Sequence, residues 1–208
     1  RPPPPPPSVR APTPTVPTTG GATAPKGLVL FGGGGGVEAK QVPSIHFGPK
    51  AQVYWGGSCF HPKHPYFAMA GCGVVGIDGH GNLVQYVYSP LPRRFPQTSQ
   101  HAEHAALALH ARNTKERFVH GRTDCSTVHV GSKDLARSLG ASSKFASFWR
   151  SCKELGIVVE TIKVKAHRSL EAAKSAQDLL HIKGNRQADL FAKIGAQCHS
   201  IPAHTMEL

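Results

Sequence analysis

Gly184-Asn185-Arg186-Gln187-Ala188-Asp189-Leu190-Phe191-Ala192-Lys193 is the stretch around which the chain is read. Ala188, Phe191, Ala192 and Gly195 recur at helical spacing and predict a core-facing stripe. Asp189 falls about 100° round the helix from Ala188, at the stripe's edge, where a carboxylate reaches a groove without being buried. An Asp on a helix is usually a solvated charge. This one gains meaning from partners upstream.

The nearest partner is a strand that ends on an acid. Phe118 to Asp124 reads as that strand, and Ile157 to Val164 as a second, β-branched one. Between them, Ser126 to Leu139 and Ser142 to Leu155 predict two helices. The second has Phe145, Phe148, Trp149, Cys152 and Leu155 as its apolar stripe, read as core packing. Further upstream, Ser99 to Arg112 predicts a helix with Ala102, Ala105, Ala106 and Leu109 facing inward and Glu103 about 100° off that face. Gln52 to Cys59, Ala70 to Ile77 and Asn82 to Ser89 read as an antiparallel three-strand start, its second hairpin turning at Asp78-Gly79-His80-Gly81. Lys165 to Lys183 predicts a long, partly helical connection to the last helix. The order β-β-β-α-β-α-α-β-α implies an α/β (mixed α+β) domain, a mixed sheet covered by helices. We expect five strands.

Residues 1–50 differ in texture. Pro2 to Pro7 is unbroken, Gly32 to Gly36 is a glycine run, and Glu38 is the single acid. Such a segment cannot bury enough apolar surface to order itself, so 1–50 is expected to be a tail or linker, disordered over 1–45. Residues 51–197 form the expected domain and 198–208 a short tail. The chain opens on Arg1 rather than Met, and we expect a fragment, with a larger polyprotein as its context.

The 208 residues carry a net charge of +12 and a sequence pI near 9.8. That balance favours an acidic partner, nucleic acid above all. Arg93, Arg94, Lys144, Arg150, Lys153, Lys163, Lys165 and Arg168 offer a group of cations for a phosphate backbone. The five cysteines are scattered with no CxxC pair, which argues against a disulfide framework or structural zinc site. A reducing, intracellular setting, cytoplasm or nucleus, is favoured. No apolar run approaches a membrane span, and no membrane partner is expected. His61 and His64, like His101 and His104, are spaced three apart. With no second ligand set, they are read as surface histidines.

Trp55-Gly56-Gly57-Ser58, Gln100-His101-Ala102-Glu103-His104-Ala105-Ala106, Thr123-Asp124-Cys125-Ser126 and the closing Gly184-to-Asp189 run, in this order, resemble the ribonuclease H type 1 family, including domains carried by retroelements. The resemblance covers about residues 51–197. It implies cleavage of the RNA strand of an RNA–DNA hybrid with two divalent ions, Mg²⁺ or Mn²⁺. It implies that Glu103, Asp124 and Asp189 are catalytic metal ligands, and that His167 assists proton transfer or product release. Hard cations take oxygen ligands, and two ions about 4 Å apart stabilise both the attacking and the leaving oxygen.

One departure bears on activity. Where the family has an Asp that contacts both ions, this chain has Gly56, so attenuated hydrolysis is expected. Asp78, in the hairpin turn, is expected to lie too far away to fill the vacancy and is only the first alternative to test, and Gly56→Asp is expected to raise activity. The alternative is a catalytically inactive module of the same fold that binds nucleic acid or a partner. The connection from His167 to Gly184 also looks longer than the family's compact loop.

Overall fold

The computed structural model describes residues 26–29, 47 and 51–199. A mixed sheet of six strands runs β1-β4-β3-β2-β5-β6. The strands are β1 (Lys26–Val29), β2 (Gln52–Phe60), β3 (Met69–Ile77), β4 (Leu83–Pro90), β5 (Phe118–Thr123) and β6 (Val158–Lys163). β2, β3 and β4 are antiparallel, with Gln52 opposite Ile77 and Val74 opposite Val87. β5 joins β2 in parallel through Tyr54 and Arg122, and β6 follows β5 in parallel. The expected five-stranded arrangement is therefore present.

The sixth strand was not foreseen. β1 falls inside the stretch expected to be disordered and pairs in parallel with β4, from Lys26 opposite Gln85 to Val29 opposite Tyr88. β4 otherwise presents an unpaired edge, and a short apolar segment can supply its missing hydrogen bonds. Phe47, also within the expected tail, is buried with its ring edge-on to His110 at 5.1 Å. The rest of that disorder expectation lies outside the described residues.

The helices are α1 (Ser99–Asn113), α2 (Ser126–Lys133), α3 (Leu135–Leu139), α4 (Ala146–Glu154) and α5 (Ala176–Gln197). One face of the sheet packs Trp55, Val74 and Val119 against Ala102 and Ala106 of α1 and Trp149 of α4. The other packs Tyr54, Val75 and Ile77 against Ala188 and Phe191 of α5. Alternation along β2 sends Trp55 and Tyr54 to opposite sides. The stripe read on the last helix is buried, and Phe191 stacks on Tyr86 at a centroid distance of 4.1 Å.

Several local readings need correction. The single helix expected over 126–139 breaks at Asp134, whose side chain accepts from the N–H of Arg137 and starts α3. The next helix begins at Ala146 rather than Ser142, and Leu155 is exposed. The long connection is shorter than expected. Ser175 caps α5 by accepting from the N–H of Asp178, so the helix starts eight residues before Gly184. Gly184 lies inside the helix, and the Tyr54 ring occupies the space a side chain would take there.

Candidate functional site

Glu103, Asp124, Asp189 and His167 line one cleft of about 310 Å³, together with Gly57, Cys125 and the start of α2. Four separate elements deliver them: α1, the end of β5, α5 and the β6–α5 connection.

Glu103 is the deepest. Its Oε1 accepts from the Gly57 N–H at 2.9 Å and its Oε2 from the Thr123 hydroxyl at 3.3 Å. Gly57 is required there: a Cβ would stand 2.5 Å from the backbone nitrogen of Glu103. Burial pushes the Glu103 carboxyl well above the usual carboxylate range. The nearby Asp124, and then Asp189, push it the same way against the pull of the Gly57 and Thr123 hydrogen bonds.

Asp124 is half-buried and its Oδ2 accepts from Asn185 Nδ2 at 2.9 Å. Lys163 Nζ donates to the Asp124 backbone carbonyl. Thr123 Oγ1 also accepts from the Cys125 N–H at 3.0 Å, tying the end of β5 to the start of α2. Asp189 keeps 20% of its side chain exposed, as expected for a residue at the stripe's edge. Burial pushes its carboxyl up to about 6, Asp124 adds to the rise, and His167 and Lys193 pull against it. His167 Nδ1 stands 3.7 Å from Asp189 Oδ2. The His167 backbone has φ of 46°, a left-handed conformation that costs a residue other than glycine free energy. A larger, open cleft of about 960 Å³ continues from His167 and Asp189 along α5, past Arg168, Lys183, Arg186 and Lys193.

The position read as vacant is filled. Gly56 points at α5, and a Cβ there would lie 2.6 Å from the carbonyl carbon of Ala188, 2.8 Å from its oxygen and 2.9 Å from the Asp189 nitrogen. The helix backbone occupies the place where the side chain would begin. This corrects the expectation that Gly56→Asp simply restores a carboxylate. Asp78 does not substitute either. Its Oδ1 accepts from the backbone N–H of His80 and of Asn82, both at 2.8 Å, and its Oδ2 from Asn82 Nδ2 at 3.0 Å, closing the hairpin turn. Among the described residues, no three His, Cys, Asp or Glu side chains are gathered as a ready metal-holding group. The three acids share a cleft without forming a tight ligand cage.

The histidine readings divide. His61 and His64 are exposed, as expected. His101 and His104 are buried, against expectation. The His104 ring stacks on Phe145 at 3.8 Å, and its Nδ1 donates to the Gln100 carbonyl at 2.8 Å. Burial lowers its pKa to about 4, so it packs as a neutral ring. Arg93 and Arg168, counted among free cations in the sequence, are engaged with the Ala68 carbonyl and with Asp178. Asn185 was missed as a site residue, although it lies one helical turn before Asp189 and therefore on nearly the same face.

No protein-family model matches the sequence, and neither does any curated protein sequence. Solved structures do match in shape. LC9-RNase H1, described as a type 1 RNase H with the type 2 active-site motif, is 18% identical over 77% of this chain and 76% of its own, with a TM-score of 0.53. The foamy viral protease-reverse transcriptase in complex with RNA/DNA hybrid is 18% identical over 78% of this chain and 22% of its own, with a TM-score of 0.52. The same foamy viral protein in complex with dsDNA gives 19% identity, 75% and 98% coverage and a TM-score of 0.50. The chain has the ribonuclease H-like fold.

Proposed function

We propose that this chain is a ribonuclease H-type domain that binds RNA–DNA hybrid across the Glu103–Asp124–Asp189 cleft and cleaves the RNA strand with attenuated efficiency. The observation that carries the reading is the meeting of three acids and His167, from four elements, on one cleft. The fold likeness supports it, and two of the neighbours were solved with a bound hybrid or DNA duplex. The net charge of +12 suits a polyanionic partner. A retroelement polyprotein context is supported by the reverse-transcriptase neighbour, of whose chain this one matches 22%.

Mg²⁺ or Mn²⁺ is the cofactor we propose. The donors present suit one hard cation held by Asp124 and Asp189, since carboxylate oxygens are its preferred ligands. They do not suit a pair. Gly56 brings no carboxylate and its side-chain space is occupied, while both oxygens of Glu103 are already hydrogen-bonded. When bound, such a cation supplies Lewis-acid polarisation of a phosphoryl oxygen and lowers the pKa of a coordinated water.

The chain's own residues do the rest. Glu103 fixes the β2–α1 junction by accepting from the Gly57 N–H. His167, exposed at the cleft mouth and 3.7 Å from Asp189, can carry a proton to or from the leaving oxygen. Lys183, Arg186 and Lys193 offer phosphate contacts beside the acids. The test is equilibrium binding of a labelled RNA–DNA hybrid, followed by incubation in Mg²⁺ or Mn²⁺ and strand-resolved electrophoresis. The expected result is hybrid binding with slow loss of the RNA strand alone. Equal cleavage of both strands, or no binding, overturns the proposal.

A further inference from the structure

The geometry points to Asn185 as a positioning residue that holds the Asp124 carboxylate in place for cation binding. Asn185 is 3% exposed, and its Nδ2 donates to Asp124 Oδ2 at 2.9 Å. Its Oδ1 is buried with no hydrogen-bond partner. A buried, unpaired amide oxygen carries a desolvation cost that an apolar residue of similar size avoids. The bond to Asp124 is the compensating contact. The amide orientation follows from chemistry, since the opposite one would set Oδ1 against a carboxylate oxygen.

The site has a particular need for such a contact. Asp124 shares its cleft with Glu103 and Asp189, and both of those carboxyls feel its charge. Above about pH 6 the ionised Asp189 repels the half-buried Asp124 side chain toward solvent. The neighbouring strand position, Gly56, supplies no side chain to contain it. A donor on the rigid inner face of α5, one turn before Asp189, ties Asp124 to the element that carries the second acid. Residues that orient a ligating carboxylate typically influence metal affinity about 10–100-fold when removed.

This inference rests on the proposed cation site, and its test separates the two. Mn²⁺ binding to the full chain is measured by isothermal titration for native protein, Asn185→Ala, Asn185→Leu, Asp124→Asn and the Asp124→Asn/Asn185→Ala double variant. Thermal unfolding without metal is followed for each. The expected result is at least a tenfold rise in Mn²⁺ Kd for Asn185→Ala and Asn185→Leu. Asn185→Leu should melt within about 2–4 °C of native, the shift of roughly 1 kcal/mol in a domain of this size. The double variant should bind no more weakly than Asp124→Asn alone. If the Asn185 variants change melting but leave Mn²⁺ affinity intact while Asp124→Asn abolishes it, Asn185 is only structural and the inference is wrong. If Asp124→Asn leaves Mn²⁺ affinity unchanged, the proposed cation site fails, and the positioning role fails with it.

Discussion

Adding one carbon at Gly56 should unseat the last helix. A Cβ there would lie 2.6 Å from the Ala188 carbonyl carbon and 2.9 Å from the Asp189 nitrogen. Ordinary carbon contacts sit at about 3.5–4.0 Å, so α5 would have to recede by roughly 1 Å. The obstructing atoms are backbone and cannot rotate away. Overpacking of this kind costs about 1–3 kcal/mol, and rigid neighbours place Gly56→Ala toward the upper end. At about 2–4 °C per kcal/mol for a domain of this size, melting should fall by roughly 6–12 °C. Circular dichroism on native protein, Gly56→Ala and Gly56→Asp measures this. Gly79→Ala is the control, because a Cβ at Gly79 meets nothing within 4 Å. Gly56→Asp should be no more stable than Gly56→Ala and should not gain hydrolysis. A Gly56→Ala protein that melts within 2 °C of native, with 2 °C standing for about 1 kcal/mol or less, would show that α5 does not press on β2 as described.

Asp189 gives a pH-dependent prediction. Its carboxyl rises from 3.8 to about 6 on folding, so its ionised form opposes folding by up to about 3 kcal/mol. That cost is absent below pH 3.8, grows between 3.8 and about 6 and is complete above. Asp189→Asn should therefore melt several degrees above native at pH 8, and the difference should vanish near the acid end of that window. At neutral pH, Glu103→Gln should be at least as stable as native, because burial already disfavours the charge there. Glu103→Ala leaves the Gly57 and Thr123 donors unpaired and should lose about 1–3 kcal/mol for each in denaturant titration. Hybrid affinity should fall steeply with salt, with a log–log slope beyond about −3, and a flat dependence argues against backbone tracking.

Much of the fold was legible because local signals agreed with it. Alternation in β2 to β4, the Asp78 turn and the Ala188–Phe191–Ala192 stripe each point to one arrangement. The boundaries were less legible. The last helix reads from Gly184 in the sequence, but it starts at Ala176, and glycine stands at 184 because the Tyr54 ring packs against it, a contact 130 positions away in sequence. The three acids were found through motif order, which records where each side chain leaves the backbone. What fills the space at Gly56 was not legible, since it depends on how closely α5 approaches β2. The buried His101 and His104 were misread for a similar reason: their partner, Phe145, comes from a separate helical segment. Asn185 lies within the Gly184-to-Asp189 run, yet its role appears only when Asp124 is placed beside it.

The most direct measurement is single-turnover cleavage of an RNA–DNA hybrid in Mn²⁺ by native protein and by Asp124→Asn, with hybrid binding measured for both. The cation role of Asp124 predicts slow cleavage of the RNA strand by native protein, loss of that cleavage in Asp124→Asn, and retained hybrid binding in the variant. Cleavage that continues unchanged in Asp124→Asn would contradict it.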